Sequence, residues 1–200
     1  MTKPDVVIVG LGYIGLPTAA LIASKNVQVL GVDINPDVVD TINRGDIHIV
    51  EPDLDKTVAK AVKNGFLKAA TVPVECSVYI IVVPTPFKGK NEPDISFVAA
   101  ATKSIVPFLK KGDLYIIEST SPIGTTKKMM DLIYDMRPEI QDQLSIAYCP
   151  ERVLPGNIMH ELVFNDRVVG GINENSTNKA IDFYRNFVMG DLHATNAQTA

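Results

Sequence analysis

Residues 5–15 read Asp-Val-Val-Ile-Val-Gly-Leu-Gly-Tyr-Ile-Gly, and the organisation of the rest of the chain follows from them. A β-branched apolar run leads into Gly10, Gly12 and Gly15, and small and apolar residues continue at once over 18–23. This pattern predicts a strand, a tight turn and a helix. We expect Gly10 to form the turn, Gly12 to let a pyrophosphate approach the backbone, and Gly15 to bring the helix close to the strand. The free N–H groups at the start of the helix would face the phosphates.

The composition restricts the class of protein. The chain has 200 residues, 46% of them hydrophobic, and a formal net charge of −4 at pH 7. That length and composition predict one globular domain spanning residues 1–200, with little room for a second. Because the net charge is negative and no basic block is present, a nucleic-acid partner is not expected. No apolar run approaches the ~20 residues that a bilayer-spanning helix requires, so no membrane partner is expected either.

Targeting signals and metal sites are not expected. The first residues lack the basic region, apolar core and cleavage site of a signal peptide, so we expect a cytoplasmic protein. Cys76 and Cys149 lie far apart and form no C-x-x-C pair, which argues against a disulfide framework or a zinc site. The three histidines are scattered along the chain and suggest no ligand cluster.

A second predicted strand, over residues 27–33, ends in an acid. Asp33 stands 18 residues after Gly15. A carboxylate about 20 residues after such a glycine motif commonly binds the adenosine ribose hydroxyls. No arginine follows to hold a 2′-phosphate, so NAD is favoured over NADP. The alternative is that Asp33 only caps the next helix, but Asn35-Pro36 already supplies a start signal for that helix.

Strand and helix patterns alternate along nearly the whole chain. Further strands are predicted over 67–72, 77–83, 114–118, 145–148 and 167–171. The alternation predicts an α/β fold, a Rossmann-type, doubly wound and mainly parallel sheet with helices on both faces.

Polar residues follow three of these strands. Thr85 lies between two prolines, Thr120 follows Glu118-Ser119, and Glu151 lies between a proline and an arginine. Because parallel strands end at one edge, where such folds bind ligands, we expect these residues to surround one crevice with the glycine turn. Thr85 is a candidate cofactor contact, or it belongs to a simple turn. Glu151 is a candidate general base, and the alternative is an ion pair with Arg152 or Arg167.

Four motifs occur in a specific order: GLGYIGLP over 10–17, VPTP over 83–86, ESTSPIG over 118–124 and CPERVLPG over 149–156. Together they resemble the UDP-glucose/GDP-mannose dehydrogenase family. NRGDIHIVEPDL over 43–54 and TPFKG over 85–89 resemble the branch of that family that oxidises UDP-N-acetyl-D-mannosamine.

The resemblance implies a four-electron oxidation at C6 of a UDP-sugar substrate, in which an alcohol becomes a carboxylate and two NAD are reduced. A thioester to a catalytic cysteine would precede hydrolysis. By the family's motifs, Tyr13 and Ile14 would contact the pyrophosphate and Asp33 the ribose. Thr85 and Thr120 would line the nicotinamide side.

The resemblance also implies catalytic and sugar-binding roles. Thr120 would help to place the hydrolytic water, and Glu151 would assist thioester hydrolysis. Groups from Glu151, Arg152 and Val153 would meet the sugar.

The chain departs from the family at the nucleophile. It contains no Gly-Gly-His-Cys, and neither Cys76 nor Cys149 fits the role. In the family, the catalytic cysteine, lysine and asparagine, the linking helix that makes a homodimer and the C-terminal UDP-binding domain all come later than residue 200. We therefore expect this chain to bind NAD and not to turn over alone.

Three alternatives remain open at this stage. The same chemistry would suit UDP-glucose, UDP-N-acetylglucosamine or GDP-mannose. A stand-alone NAD-sensing regulatory domain would show the same glycine motif. A complete short-chain or hydroxyacid-type reductase is disfavoured, because no Tyr-x-x-x-Lys pair occurs in the expected context.

Overall fold

The structure, a computed structural model, describes residues 3–89 and 92–200. Two sheets form in this part of the chain. The strands of the main sheet are β1 (Val6–Val9), β2 (Val29–Val32), β3 (Leu67–Ala70), β4 (Val78–Ile81), β7 (Leu114–Ile117), β8 (Ser145–Tyr148), β9 (Arg167–Gly171) and β10 (Leu192–Asn196). The strands β5 (Phe87–Lys88) and β6 (Glu92–Pro93) pair separately as a small antiparallel hairpin.

Helices connect the strands of the main sheet. They are α1 (Gly15–Ser24), α2 (Pro36–Asn43), α3 (Leu54–Lys63), α4 (Ser96–Ile105), α5 (Thr125–Met136), α6 (Ile158–Phe164) and α7 (Glu174–Tyr184), with short 3₁₀ turns at Val106–Phe108 and Pro138–Ile140. Polar side chains set some of the boundaries. Asn35 accepts a hydrogen bond from the Asp37 N–H at the start of α2, and Asn173 does the same for Ser176 at the start of α7.

The strand order is β10-β9-β8-β7-β4-β1-β2-β3. The adjacent strands β8, β7, β4, β1, β2 and β3 are parallel, and β1 is central among these six. Their order is that of the Rossmann fold, which confirms the predicted fold class.

The last two strands run in the opposite direction to the other six. β9 pairs antiparallel with β8, and β10 pairs parallel with β9. Neither β10 nor α6 is predicted from the sequence. Leu192–Asn196 is half polar and mostly exposed, so it lacks an apolar run, and α6 has only seven residues. The sequence pattern after the seventh predicted strand predicts a helix over about 175–188, and α7 ends earlier, at Tyr184.

The core lies on both faces of the sheet. Alternate residues of β1 point to opposite sides, so that Val6 and Ile8 pack with α1, α3 and α7, whereas Val7 and Val9 pack with α4 and α5. Among the described residues, no helix combines the length and apolar character needed to span a bilayer. Because helices pack on both faces of the sheet, its edges and not its faces are exposed to solvent.

Candidate functional site

The turn after β1 has two glycines that packing requires and one that faces open space. Gly10 has φ +97°, and a Cβ on it would collide with the Val82 carbonyl oxygen. A Cβ on Gly15 would collide with the Gly10 carbonyl oxygen, which explains how α1 packs so close to β1. Around Gly12, in contrast, a Cβ would meet no atom within 4 Å. The open space lies where the sequence predicts that a pyrophosphate approaches.

Asp33, directly after β2, holds the glycine turn from the side. Its Oδ2 accepts a hydrogen bond from the Leu11 N–H at 3.0 Å, and its Oδ1 accepts one from the Asn35 N–H at 2.9 Å. The side chain that caps α2 is Asn35, which accepts from the Asp37 N–H at 3.0 Å. Asp33 therefore is not the cap of α2, and its carboxylate lies beside the glycine turn.

The side chains of Tyr13 and Ile14, at the start of α1, lie in different environments. Tyr13 is 43% exposed, and its hydroxyl donates to the Val50 carbonyl oxygen at 3.2 Å. Ile14 is the N-cap residue of α1 and makes no side-chain hydrogen bond to the first turn, while its side chain packs against the core. A phosphate near α1 would thus meet backbone groups of Ile14 and the exposed ring of Tyr13.

The ends of β4 and β7 are joined by hydroxyl groups. Thr85 Oγ1 donates to the Thr120 carbonyl oxygen at 2.6 Å, so these two predicted site residues do come together. Ser119 Oγ accepts from the Val83 N–H at 2.9 Å and donates to the Val83 carbonyl oxygen at 2.8 Å. No sequence pattern distinguishes Ser119 from its neighbours, because only the structure shows which hydroxyl points inward.

Glu151, three residues after the end of β8, forms an ion pair. Its Oε2 lies 2.7 Å from Arg167 Nη2, and the Glu151 side chain is 7% exposed. Its Oε1 accepts a hydrogen bond from the Arg152 N–H at 2.8 Å. The ion pair considered from the sequence therefore forms, with Arg167 and not with the guanidinium of Arg152. Arg152 Nη2 instead donates to the Asp166 carbonyl oxygen at 3.0 Å.

A buried polar cluster lies beneath Glu151, and sequence reasoning missed it. Glu118 Oε1 accepts a hydrogen bond from the Tyr184 hydroxyl at 2.6 Å. Burial raises the pKa of Glu118 to about 7, the nearby Glu151 adds to this rise, and Arg167 opposes it. Burial also raises the pKa of the Cys149 thiol to about 12, so this cysteine is protonated and unreactive at neutral pH.

The segment after β8 is held in place by carboxylates from other parts of the chain. Glu51, 4% exposed, accepts hydrogen bonds from the Ile158 N–H at 2.7 Å and the Gly156 N–H at 2.9 Å. Glu161 Oε2 accepts from the Leu154 N–H at 2.8 Å. Val153, a predicted sugar contact, packs its side chain against the core. Any sugar contact there would come from backbone groups or from the neighbours of Val153.

One group of possible metal ligands lies beside the start of β9. Asp166, Asp191 and His193 each offer one atom within 4.8 Å of the others, and all three are exposed. They already contact one another, since Asp166 Oδ1 accepts from the Asp191 N–H at 2.8 Å and Asp166 Oδ2 lies 3.6 Å from His193 Nε2. We assign no metal to this group.

The residues at this edge fit a dinucleotide. The glycine turn leaves open space at Gly12, α1 begins at Gly15 without a side-chain cap, and Asp33 presents a carboxylate next to the turn. A helix N-terminus that is open in this way attracts phosphate groups, and a carboxylate after the second strand suits ribose hydroxyls.

Known proteins share both the sequence and the fold of this chain. The UDP-N-acetyl-D-mannosamine dehydrogenase of Escherichia coli (strain K12) is 53% identical over 100% of this chain and 50% of its own length. An NDP-N-acetyl-D-galactosaminuronic acid dehydrogenase of Ralstonia nicotianae is 48% identical over 96% of this chain and 48% of its own length. The native structure of the UDP-N-acetyl-mannosamine dehydrogenase Cap5O from Staphylococcus aureus superposes with a TM-score of 0.94 at 42% identity, covering 98% of this chain and 48% of the other.

The chain spans about half the length of these relatives. Residues 4–188 match the NAD-binding domain of one family of dehydrogenases. Together with the glycine turn and the carboxylate beside it, this match shows that the chain is an NAD-binding domain and belongs to the UDP-glucose/GDP-mannose dehydrogenase family.

Proposed function

We propose that this chain is the NAD-binding part of a nucleotide-sugar 6-dehydrogenase that converts UDP-N-acetyl-D-mannosamine to its uronic acid. The observation that carries the proposal is the 53% identity with the E. coli enzyme of that name across the whole chain. The grouping of the glycine turn, Thr85, Thr120 and Glu151 at strand ends supports it.

The chemistry requires two hydride transfers and one hydrolysis. Conversion of an alcohol to a carboxylate removes four electrons. NAD, when it is bound, accepts the hydride in each of the two transfers. In our proposal, Gly12, Tyr13 and Ile14 bind the pyrophosphate, and Asp33 binds the adenosine ribose. Thr85 and Thr120 line the nicotinamide side, where their hydrogen-bonded backbone and side-chain groups form one wall.

Glu151 acts in hydrolysis in our proposal. A carboxylate that is ionised can accept a proton from a water molecule as that water attacks a thioester. Thr120, exposed at the end of β7, would help to orient the same water, and the backbone from Glu151 to Val153 would meet the sugar.

The nucleophile is not among the cysteines of this chain. Cys76 and Cys149 are both buried, and burial raises the pKa of each thiol to about 12. A thiol in that state cannot form a thioester at a useful rate, because the thiolate is the reactive species. We therefore infer that the 200-residue chain binds NAD without turning over.

Calorimetric titration of the chain tests this proposal. We expect NAD to bind and NADP to bind more weakly, because the Asp33 carboxylate would repel a 2′-phosphate. Absence of any heat at millimolar NAD would contradict the binding role. Steady NADH production from UDP-N-acetyl-D-mannosamine by this chain alone would contradict the inference that the chain contains no catalytic nucleophile.

A second candidate substrate is another nucleoside-diphosphate N-acetylhexosamine. The 48% identity with the Ralstonia enzyme, close to the value for the E. coli enzyme, favours this alternative over UDP-glucose or GDP-mannose. Product analysis of an enzyme that contains this chain and a nucleophile-bearing second half would distinguish the sugars. Turnover of UDP-glucose in preference to both N-acetylated sugars would contradict both candidates.

We also propose that such an enzyme works in the cytoplasm as a homodimer formed through segments other than these 200 residues. Light scattering of the 200-residue chain tests the second part, and we expect a monomer of 21.7 kDa.

A further inference from the structure

One guanidinium serves two buried carboxylates at the edge where β7 and β8 end. Arg167 Nη2 lies 2.7 Å from Glu151 Oε2, and Arg167 Nη1 lies 3.8 Å from Glu118 Oε1. The side chains of Arg167, Glu151 and Glu118 are 4%, 7% and 0% exposed. A buried charge is tolerated only where a partner compensates for the lost water, so the three groups depend on one another.

The reversed direction of β9 creates this arrangement. Gly171 pairs with Ala147 and Gly170 with Tyr148, so the same antiparallel register, continued, brings Arg167 opposite Glu151. If β9 ran parallel to β8, its first residue would lie at the other edge of the sheet. The guanidinium therefore reaches the carboxyl ends of β7 and β8 from the start of a strand.

The two carboxylates are not equivalent. Glu151 is the closer to the guanidinium, and its second oxygen accepts the Arg152 N–H at 2.8 Å. Glu118 is farther away and receives the Tyr184 hydroxyl at 2.6 Å, a neutral donor. One positive charge can neutralise only one of two buried anions, and the nearer carboxylate gains more from it.

Within the described part of the chain, the remaining neighbours of Glu118 do not supply a second positive charge. The Tyr184 ring lies under the guanidinium, 5.0 Å from Arg167 Cζ to the ring centroid, and the nearby Cys149 thiol is neutral. Arg167 also donates to the Leu162 carbonyl oxygen at 3.3 Å, which fixes its orientation but adds no charge.

We propose that Arg167 is a positioning residue that holds the Glu151 carboxylate as an anion, and that Glu118, which shares the guanidinium, is the carboxyl group that takes up the proton of the pair. The catalytic consequence rests on the proposed function: an anionic, oriented Glu151 is ready to accept a proton from the hydrolytic water. The rise in the pKa of Glu118 to about 7, caused first by burial and then increased by Glu151, agrees with this division of roles.

A pH titration of ¹³Cδ-glutamate-labelled protein by NMR tests the proposal on the 200-residue chain. Signals are assigned with the variants Glu118→Gln and Glu151→Gln. We expect the Glu118 signal to titrate near pH 7 in the unchanged chain. In Glu151→Gln, we expect its midpoint to fall by about one pH unit or more, because a like charge is lost and the guanidinium then serves Glu118 alone.

Substitutions of the guanidinium test the positioning of Glu151. In Arg167→Met, we expect the Glu151 ¹³Cδ chemical shift to change and the Glu118 midpoint to rise, and Arg167→Lys to restore both in part. Arg185→Met is the matched control, since it removes the same charge from an exposed pair with Asp182. We expect this control to move neither signal.

Two outcomes would overturn the proposal: a Glu118 midpoint that Glu151→Gln leaves unchanged, or a Glu118 signal that titrates like an ordinary exposed carboxyl. If Arg167→Met fails to fold, the Glu151→Gln titration alone decides the question. None of these measurements uses turnover or NAD, so a failure of the proposed function would leave their result intact.

Discussion

The three glycines of the turn after β1 meet two different kinds of requirement. Gly10 and Gly15 are required by atoms of the protein itself, whereas Gly12 has empty space around it. Substitutions at these positions should therefore have different effects. A side chain at Gly10 or Gly15 should destabilise the fold, whereas one at Gly12 should weaken ligand binding.

We expect Gly12→Ala to fold normally and to bind NAD at least tenfold more weakly, since a methyl group would occupy the space that the pyrophosphate needs. Gly15→Ala is the matched comparison. It should destabilise the chain by about 2 kcal/mol or more, because its Cβ would meet the Gly10 carbonyl oxygen. Urea unfolding and calorimetric NAD titration separate the two effects. Equal loss of stability in both variants would contradict the assignment.

A second residue-level prediction follows from Glu118. Its pKa is raised to about 7 in the folded chain from an ordinary value of 4.5, so the folded state binds more protons than the unfolded state between these values. Stability contributed by this group is therefore present below pH 4.5 and is lost as pH rises toward 7. We expect the loss to be on the order of 3 kcal/mol.

Urea unfolding of the unchanged chain and of Glu118→Gln, at pH 5 and pH 8, checks this expectation. The variant should lose less stability between the two pH values than the unchanged chain does. Because all other titrating groups are shared, they cancel in the comparison. An identical pH dependence would show that Glu118 is ionised in both conditions.

At the scale of elements, the segment that follows β8 depends on a residue more than a hundred positions away. Glu51 lies in the loop between α2 and α3, yet its carboxylate holds the backbone N–H groups of Gly156 and Ile158. The loop between α2 and α3 is thus hydrogen-bonded to the segment before α6, and α6 begins where Glu51 holds it.

We expect Glu51→Ala to lower the free energy of unfolding by about 3 kcal/mol, because two hydrogen bonds are lost and the buried Ile158 N–H is left unpaired. Amide hydrogen exchange at residues 154–158 should accelerate. Asp46→Ala is the control from the same loop, since its 3.5 Å pair with Arg44 is exposed. Equal exchange rates in both variants would contradict the role of Glu51.

Elements with strong local patterns are predictable from the sequence, whereas elements defined by contacts between distant residues are not. The parallel strands β1, β2, β4, β7 and β8 are mostly apolar, so their positions and their common edge were predictable. The direction of β9 was not, because a buried strand has the same pattern in either direction. For the same reason Arg167 was only one of two possible partners of Glu151, and Glu51 carried no signal beyond its place in a motif.

At the scale of the whole molecule, large apolar side chains remain exposed around the edge where the parallel strands end. Ile34 follows β2, Phe87 follows β4, Ile123 follows β7 and Leu154 follows β8, with exposed fractions of 89%, 73%, 84% and 68%. A ligand that covers this edge would remove apolar area from water as well as satisfy polar groups.

NAD should therefore stabilise the entire chain. At a concentration of 100 times its dissociation constant, we expect an increase in unfolding free energy of about 2.7 kcal/mol, since only the folded chain binds. Thermal unfolding with increasing NAD measures this, and Gly12→Ala serves as the control that should respond far less. A midpoint that NAD leaves unchanged at millimolar concentration would contradict binding at this edge.

The reversed direction of β9 and β10 also determines which side of the molecule a terminal tether would attach to. β1 begins and β10 ends at the edge of the sheet away from the candidate site, so Asp5 and Asn196 lie on the same side. A tether at either end would orient the chain with its NAD-binding edge toward solution. Immobilisation on a sensor chip or an electrode through a terminal tag would leave that edge free, whereas random coupling through surface lysines would not.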